Sequence, residues 1–356
     1  MVCCACHQQC GLQVHVDAGR VTHISGDREH PFSAGFICHK GKHAHELHYH
    51  PARVHEPLKR EGARGAGQWQ KVSWQQALDE IASSIHSLTD RHGRESLAYS
   101  YGTFHGADWG IGQRFMNLFG SPNTVGQDKI CYSAGALGES LTYGFGPSFF
   151  TYPIPGKTRC MVVWGMRPSA SSPLLWRQIL RTQRAGAKLI VIDPERIREV
   201  HTADLWLQNT PGTDVALVLS LIHCVINAGR HDAVFVETNT MGFAELRARA
   251  AEYPPAVAER LTRVPAAQVL QAAQMISDHA PAVIHAGNGL YQSGRTSVQC
   301  GRALACLIAI TGNLGVEGGH RLNGPPRDLL SNGDAIEGPA LSAEQRGKRL
   351  GAATFP

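Results

Sequence analysis

The sequence predicts an α/β fold in which a small β-rich module precedes α/β domains with doubly wound, mostly parallel sheets. Two patterns indicate this. Alternating runs at Leu12–Val16 and Arg20–Ile24 flank turn residues and suit half-buried strands. Further along, short apolar runs alternate with helical patterns, as in βαβ units whose strands are buried on both faces. At 356 residues the chain has room for two or three domains.

From Arg159 onward the apolar pattern predicts a βαβ unit with a right-handed crossover, followed by further helices and a strand. The predicted elements are the strand Cys160–Trp164, the helix Leu174–Arg184, the strand Lys188–Ile192, the helix Asp214–Asn227, the strand Ala282–Ala286 and the helix Ser297–Ile310.

A helix is also predicted between the two regions. Ser73 and Gln76 have the spacing of a capping box, and apolar residues then recur at helical intervals as far as Leu88. A strand at Leu97–Tyr101 and a helix near Trp109–Leu118 are predicted to follow.

Composition excludes several classes of protein. A hydrophobic content of 43% and a charged content of 18% are typical of a globular protein. The net charge of +5 is modest and its basic residues are scattered, which argues against nucleic-acid binding. The longest apolar stretch, Val215–Ile226, is too short for a membrane segment. No leader precedes Cys3, so we expect a cytoplasmic protein.

Four cysteines near the start have a C-x2-C-x3-C-x27-C spacing: Cys3, Cys6, Cys10 and Cys38. Three thiolates in one loop and a fourth from a distant loop suit a [4Fe–4S] cluster. A zinc site is the alternative, although zinc ribbons usually contain two C-x2-C pairs and only one is present here. Five of the ten cysteines fall within the first 38 residues, which favours metal binding over a disulfide framework.

Other cysteines and histidines are expected to play no part in metal binding. Six histidines lie between His39 and His55, but no aspartate completes a site, and we expect them to be solvated. Four further cysteines lie in apolar surroundings and are expected to pack as buried hydrophobes. They are Cys160, Cys224, Cys300 and Cys306.

Several loops are predicted at the carboxyl ends of strands, where open α/β sheets bind ligands. Glycines there let a phosphate approach the backbone, and an acidic residue can bind ribose hydroxyls. Thr213 and Asp214 open a helix, so each either caps it or binds a ligand. Together the loops indicate a nucleotide-containing cofactor. Their candidate residues are Gly165, Asp193, Gly212, Thr213, Asp214, Gly287 and Gly289.

Cys131 lies in a stretch rich in Gly, Ser and Asn that is predicted to lead into a helix. A helix N-terminus favours the thiolate, which is the metal-binding form of cysteine. On these residues alone, inert packing of the thiol is an equally good interpretation.

Taken in order, these motifs resemble the N-terminal half of catalytic subunits of the molybdopterin oxidoreductase family, also called the dimethyl sulfoxide reductase family. The resemblance covers about residues 1–325. The matching segments are the four cysteines, Cys38-His39-Lys40-Gly41, Arg53, Pro57-Leu58-Lys59-Arg60, Trp69 with Val72-Ser73-Trp74-Gln75-Gln76-Ala77, Gly120-Ser121-Pro122-Asn123, Cys131, Ile192-Asp193-Pro194, Pro211-Gly212-Thr213-Asp214, Gly287-Asn288-Gly289 and Leu314-Gly315.

The resemblance implies two cofactors, a [4Fe–4S] cluster on the four cysteines and a molybdenum or tungsten bis(molybdopterin guanine dinucleotide). Lys40 would lie between them and assist electron transfer, and Cys131 would ligate the metal, a role that suits a soft thiolate. Asp193 and Asp214 would bind guanosine, with Gly212 and the Gly287–Gly289 loop near the phosphates. The cofactor would supply two-electron exchange or oxygen-atom transfer.

Three departures from the family pattern bear on function. Tyr132 follows Cys131 where formate dehydrogenases typically have His, which makes formate less favoured than thiosulfate, polysulfide or related substrates. Arg167 stands where relatives often place Asn. The family's C-terminal pterin-binding domain has no counterpart after Pro356, so we expect a truncated or split gene product with impaired cofactor retention.

The resemblance divides the chain into four parts. Residues 1–57 would form the [4Fe–4S] module, 58–150 an α/β domain with the metal-ligand loop, and 151–325 a Rossmann-like dinucleotide-binding domain. Residues 326–356 would form a truncated or flexible tail, since the sequence from Gly338 lacks periodicity.

The leading hypothesis is an oxidoreductase that passes electrons between a small substrate and the cluster, and then to an electron-transfer protein or subunit. A separately encoded C-terminal domain is a second expected partner. A non-redox tungsten hydratase-like enzyme, or an iron–sulfur electron-relay protein without pterin, remains as an alternative.

Overall fold

The computed structural model describes residues 1–102, 108–144, 151–292, 294–322 and 341–348. Within these ranges the strands are β1 (Leu12–Asp17), β2 (Arg20–Gly26), β3 (Leu58–Glu61), β4 (Gln68–Lys71), β5 (Tyr99–Tyr101), β6 (Thr124–Gly126), β7 (Cys160–Trp164), β8 (Lys188–Ile192), β9 (Leu205–Leu207) and β10 (Ala282–Ala286).

The α-helices of the same ranges surround these strands. They are α1 (His39–Lys42), α2 (Ala44–His48), α3 (Trp74–His92), α4 (Asp108–Phe119), α5 (Ser133–Tyr143), α6 (Pro168–Ser171), α7 (Pro173–Arg184), α8 (Asp214–Asn227), α9 (Ala233–Asn239), α10 (Phe243–Ala251), α11 (Pro255–Thr262), α12 (Ala266–Asp278), α13 (Asn288–Tyr291), α14 (Ser297–Ile310) and α15 (Ala343–Gly347).

The N-terminal module is a β-hairpin packed on the cysteine loop. Strands β1 and β2 pair antiparallel, which confirms both alternating runs as strands. The backbone N–H of Cys3 donates to the carbonyl oxygen of Cys10 (2.8 Å) and closes the loop. Leu12 and Ile24 then pack with the two cysteines and with Leu174 of α7. The module is therefore joined to the second half of the chain through an apolar contact.

The second half is built on a four-stranded parallel sheet in the order β10-β7-β8-β9. Strands β7, β8 and β9 follow one another in one direction, whereas β10 lies on the other side of β7. The strand order thus reverses between β7 and β10. In sheets of this kind, ligands bind in the crevice outside the carboxyl ends of the strands at such a reversal.

Both faces of this sheet are covered, as the unbroken apolar strands predict. On β7, Cys160, Val162 and Trp164 pack with α8, α12 and α14 on one side. Met161 and Val163 point to the other side, where they pack with α7. The side chains alternate because successive residues of a strand face opposite ways. The result is the doubly wound arrangement that the sequence predicts.

The middle of the chain contains a hairpin of β3 and β4 and a parallel pair of β5 and β6. Helix α3 begins after Ser73, whose hydroxyl accepts the backbone N–H of Gln76. The Gln76 amide donates to Glu80 (3.0 Å), so only the Ser73 half of the predicted capping box is confirmed. No residue of α3 is buried by the described part of the chain, and its apolar residues, such as Trp74, are exposed.

Part of the C-terminal tail is helical, which the sequence pattern does not predict. Helix α15 begins with a capping box of Ser342 and Gln345. The side chain of Gln345 also donates to the carbonyl oxygen of Gly120 (2.8 Å), which ties this helix to the end of α4. Of the other tail residues, 326–340 and 349–356 lie outside the described residues.

In the described part of the chain, no helix has the combined length and apolar character required to cross a bilayer.

Helices α5 and α14 approach each other closely through glycine. A Cβ added to Gly138 would lie 2.8 Å from the backbone N of Arg302 and 2.8 Å from the carbonyl oxygen of Val298. We expect Gly138→Ala to lower the free energy of unfolding by about 1–3 kcal/mol, even though alanine favours helices, because backbone atoms cannot move aside easily. Urea unfolding measures this effect. Gly347→Ala in α15 is the control, since nothing lies within 4 Å there.

Two histidines are buried in the core, His285 within β10 and His320 against that strand. Burial lowers the pKa of His285 to about 4, and burial together with His285 lowers the pKa of His320 to about 3. Both pKa values are lower in the folded protein than in the unfolded chain. The stability that comes from keeping the two rings neutral is therefore present above pH 6.5 and is lost as the pH falls from about 6.5 toward 4. Each histidine should lower the free energy of unfolding by roughly 2 kcal/mol between pH 7 and pH 5.

Denaturant unfolding at these two pH values tests this linkage. His285 Nε2 is buried with no partner among the described residues, so His285→Leu should make stability less dependent on pH without a loss at pH 7. His48→Leu at an exposed position is the control. Equal pH dependence in the wild type and His285→Leu would contradict the linkage.

Candidate metal and nucleotide site

The four N-terminal cysteines lie together and none forms a disulfide. Cys3 and Cys10 are buried, and Cys6 and Cys38 are half-buried. Cys38 is the N-cap of α1, so the start of this helix fixes the fourth thiol near the other three. A Cβ at Gly41 of α1 would lie 3.4 Å from the Cys3 sulfur, which shows how closely the helix and the cysteine loop approach.

The electrostatics of this quartet suit a cationic centre. The pKa of the Cys10 thiol is raised to about 11, first by burial and then by Cys6, Cys3 and Cys38. Four thiolates this close repel one another, and bound metal cations offset that repulsion, so metal binding releases the thiol protons. These residues therefore fit a thiolate-bound cluster.

The histidine-rich segment after the quartet is largely solvated. His39, His43, His48, His50 and His55 are exposed, as predicted, whereas His45 is half-buried. His43 pairs with Glu46 of the next helix (2.6 Å). Within the described ranges, no group of three or more His, Cys, Asp or Glu side chains, the quartet included, could hold a single metal ion. In a [4Fe–4S] cluster each cysteine binds a different iron, so the four thiolates stand farther apart than the ligands of one ion.

Lys40 lies on α1, half-buried and two residues beyond Cys38.

Of the cysteines expected to be buried, Cys160, Cys224 and Cys300 are buried, whereas Cys306 is half-buried.

A crevice of about 370 Å³ opens at the carboxyl ends of the parallel strands. It collects four of the nucleotide candidates from loops that are distant in sequence: Gly165 after β7, Asp193 after β8, Asp214 after β9, and Gly289 after β10. The other lining residues are Met166, Arg167, Pro194, Glu195, Ile197, Asn209, Pro211 and Leu290.

Two glycines let the β7 and β10 loops meet at the strand-order reversal. Gly165 has a φ of +54°, in the left-handed region that favours glycine. A Cβ on Gly287 would lie 2.0 Å from the carbonyl oxygen of Gly165, so no side chain fits there. The backbone N–H of Gly287 also donates to the carbonyl oxygen of Trp164 (2.8 Å). These contacts fix the floor of the crevice.

Asp193 and Asp214 are both largely buried carboxylates. Burial raises the pKa of each, and hydrogen bonds partly oppose the shift. Asp193 accepts the backbone N–H of Glu195 (2.9 Å). Asp214 Oδ1 accepts from the Trp164 indole N–H (2.8 Å) and from the Asn209 amide (2.9 Å). One oxygen of Asp214 is therefore already engaged by the protein.

The residues beside Asp214 show how its loop is held. Thr213 is the N-cap of α8, but its hydroxyl donates back to the carbonyl oxygen of Thr210 (2.6 Å) and does not cap the helix. Gly212, one residue earlier, has a φ of +81°.

At the crevice mouth, the Arg167 guanidinium pairs with Glu195 (2.7 Å) in an exposed ion pair of small energetic value.

Cys131 lies between a 3₁₀ turn, Gln127–Ile130, and helix α5, which confirms the predicted loop leading into a helix. Its sulfur accepts a hydrogen bond from the side-chain amide of Asn288 (3.0 Å). Gln292 donates to the carbonyl oxygens of Ile130 (2.7 Å) and Cys131 (3.4 Å). The candidate thiolate thus lies against the loop that follows β10.

Three polar side chains at this site are not singled out by sequence patterns: Asn209, Asn288 and Gln292. Asn209 Oδ1 is buried with no partner among the described residues, while its amide donates to Asp214. A buried acceptor of this kind is costly unless a donor satisfies it. The N–H groups of a bound base could do so. Nothing in the sequence signals these roles, because single amides without a motif are common in loops.

Comparison with known proteins agrees with this geometry. The family model for the molybdopterin oxidoreductase Fe4S4 domain matches residues 2–50, and that for molybdopterin oxidoreductase matches residues 53–352. The chain belongs to the molybdopterin oxidoreductase family. The two domains indicate a [4Fe–4S] cluster and a molybdopterin cofactor that carries molybdenum or tungsten. The fold, the [4Fe–4S] cluster and the molybdopterin cofactor expected from the resemblance are confirmed.

Individual relatives differ in activity. The chain is 33% identical to acetylene hydratase of Syntrophotalea acetylenica over 100% of its own length and 49% of that protein. It is 33% identical to a probable oxidoreductase, YoaE, of Bacillus subtilis, covering 94% of this chain and 49% of the relative. The molybdopterin-containing subunit of Salmonella typhimurium thiosulfate reductase is 29% identical over 89% of this chain and 41% of that subunit.

A solved structure has the same fold. Acetylene hydratase from Pelobacter acetylenicus superposes with a TM-score of 0.85 at 33% identity, covering 100% of this chain and 49% of that chain. The chain spans about half the length of the curated relatives it matches.

Proposed function

We propose that this chain is the cluster- and nucleotide-binding part of a molybdenum or tungsten bis(molybdopterin guanine dinucleotide) oxidoreductase. In this proposal it passes electrons between a small substrate and the [4Fe–4S] cluster, and then to an electron-transfer protein or subunit. One observation carries the proposal. The Cys131 thiol lies against the β10 loop, beside the crevice that suits a dinucleotide.

The proposal gives each predicted residue a role. Cys3, Cys6, Cys10 and Cys38 hold the cluster, and Lys40 lies between the cluster and a pterin. Cys131 ligates the metal, which supplies two-electron exchange when bound. Asp193 and Asp214 accept hydrogen bonds from guanosine, while the backbones at Gly165, Gly212, Thr213, Gly287 and Gly289 leave room for phosphates.

The same proposal assigns residues 1–57 to the cluster module and 58–150 to the domain with the metal-ligand loop. Residues 151–325 form the dinucleotide-binding domain, and 326–356 form the tail. The contact between Leu174 of α7 and the cysteine loop supports a rigid path from the nucleotide domain to the cluster.

Calorimetric titration of the purified chain with GDP and ADP tests the nucleotide site. The unpartnered acceptor on Asn209 and the carboxylates of Asp193 and Asp214 favour guanine, whose N1–H and 2-amino groups are adjacent donors, over adenine, which has only the 6-amino donor on that edge. We expect GDP to bind about tenfold more tightly than ADP, the factor expected from one or two additional hydrogen bonds. Absence of GDP binding, or equal binding of both nucleotides, would contradict the assignment of guanosine to this crevice.

A hydratase is the second candidate, and the similarity to acetylene hydratase along the whole chain supports it. The two activities differ in electron flow, because hydration adds water to the substrate without net oxidation or reduction. An oxidoreductase should reduce a dye acceptor and change the electron paramagnetic resonance signals of its cluster during turnover. Hydration of acetylene with unchanged signals would instead identify a hydratase.

A further inference from the structure

Helix α13 and Gln292, the residue that follows it, contact the Cys131 segment in two ways. The amide of Asn288 donates to the sulfur (3.0 Å), and Gln292 donates to the carbonyl oxygens of Ile130 and Cys131. Asn288 follows Gly287 directly, so the same short segment serves the crevice and the thiol. The side-chain amides of Asn288 and Gln292 form what we term the α13 clamp.

The clamp is held on both sides by close packing. On its own side, Gly287 touches the β7 loop, and Leu290 and Tyr291 are buried. On the other side, the Tyr132 ring contacts the Tyr291 ring edge-on, with centroids 5.2 Å apart. A Cβ on Gly135 would lie 2.9 Å from the Tyr291 ring. Neither element can shift without disturbing the contact between the half-buried Tyr132 ring and the buried Tyr291 ring, so packing fixes the position of the thiol.

The chemistry of an amide next to a ligand sulfur is specific. An N–H donor stabilises negative charge on the sulfur, and hydrogen bonds to ligand sulfurs help to set the reduction potential of a metal centre. The donor favours the more electron-rich state of the metal and so raises the potential. Asn cannot ionise, so it provides this effect without a charge of its own.

We propose that Asn288 is a positioning residue that orients the Cys131 thiolate and raises the potential of the metal it binds, with Gln292 fixing the backbone. This rests on the proposed role of Cys131 as a metal ligand. It also makes the loop between Gly287 and Gly289 a direct link between the nucleotide crevice and the metal.

The test uses the holoenzyme purified without oxygen from a host that makes the cofactor. Asn288→Asp keeps the shape of the side chain but has no N–H donor, and Asn288→Ala removes the group. Both should lower the metal's reduction potential, measured by redox titration with electron paramagnetic resonance. Hydrogen exchange in the 127–136 segment should become about fivefold faster, as expected for the loss of one hydrogen bond.

The matched control is Asn239→Asp, an exposed Asn whose amide donates only to neighbouring Thr238 among the described contacts. It should change neither measurement. Cys131→Ser separates the two proposals. If it alters the metal signal while both Asn288 variants keep the wild-type potential, the role of Asn288 is overturned and the ligand assignment stands. If Cys131→Ser leaves the metal signal unchanged, the ligand assignment itself fails.

Discussion

Replacing Cys10 with alanine is expected to leave the purified protein without its iron–sulfur cluster. Cys10 is a buried member of the quartet, and its loop is closed by a hydrogen bond from Cys3. In the proposed function, removal of this thiolate leaves three protein ligands for a centre that needs four. Iron should fall from about four atoms per chain to near zero, together with the broad absorption at the border of visible and ultraviolet light.

Cys4 provides a matched control within the same loop. It is exposed and lies outside the C-x2-C-x3-C-x27-C spacing. Cys4→Ala should therefore keep its full iron content after anaerobic reconstitution with iron and sulfide. Full iron in Cys10→Ala would contradict the assigned quartet. Zinc in place of iron in the wild-type protein would contradict the cluster itself.

The parallel sheet could be predicted from sequence almost residue by residue. Strands β7, β8 and β10 have the predicted bounds, because each is a short apolar run buried on both faces. Strand β9, Leu205–Leu207, is missed, since three residues give too short a pattern. It nevertheless matters, because the loop after it carries Asn209 and Asp214 into the crevice.

Helix α3 shows what periodicity does and does not determine. The apolar spacing correctly predicts a helix from Trp74, and the structure extends it to His92. The same spacing indicates which face is apolar, yet it carries no information about what covers that face. In the described structure Leu78 and Ile81 of this face remain exposed.

The candidate site is only partly visible in the sequence. The four cysteines and the loop residues are recognisable because each belongs to a spaced motif. Asn288 and Cys131, however, are 157 positions apart, and their contact depends on how α5 packs against α13 and α14. The engagement of Asp214 by Trp164 is equally invisible, because it joins the end of one strand to the start of a distant helix. The roles of the individual site residues stay predictions.

Replacing Cys131 with alanine is expected to abolish activity while leaving the iron–sulfur cluster in place. In the proposed function this thiolate is the protein's bond to molybdenum or tungsten. Loss of a residue that only supports a metal ligand already lowers metal affinity or activity by about 10–100-fold. We therefore expect a decrease of at least roughly 100-fold in turnover. The metal's electron paramagnetic resonance signal should also change, since a sulfur ligand is lost. The iron content should match that of the wild type, because Cys131 lies outside the quartet.

Cys306→Ala is the control for this experiment, since Cys306 is also half-buried but lies within α14, packed against the apolar core. It should keep both the activity and the metal signal, with at most a modest loss of stability. Equal loss of activity in both variants would point to a general packing defect. Retained activity and an unchanged metal signal in Cys131→Ala would mean that the metal takes its protein ligand elsewhere, and the contact between Asn288 and Cys131 would then be a packing contact alone.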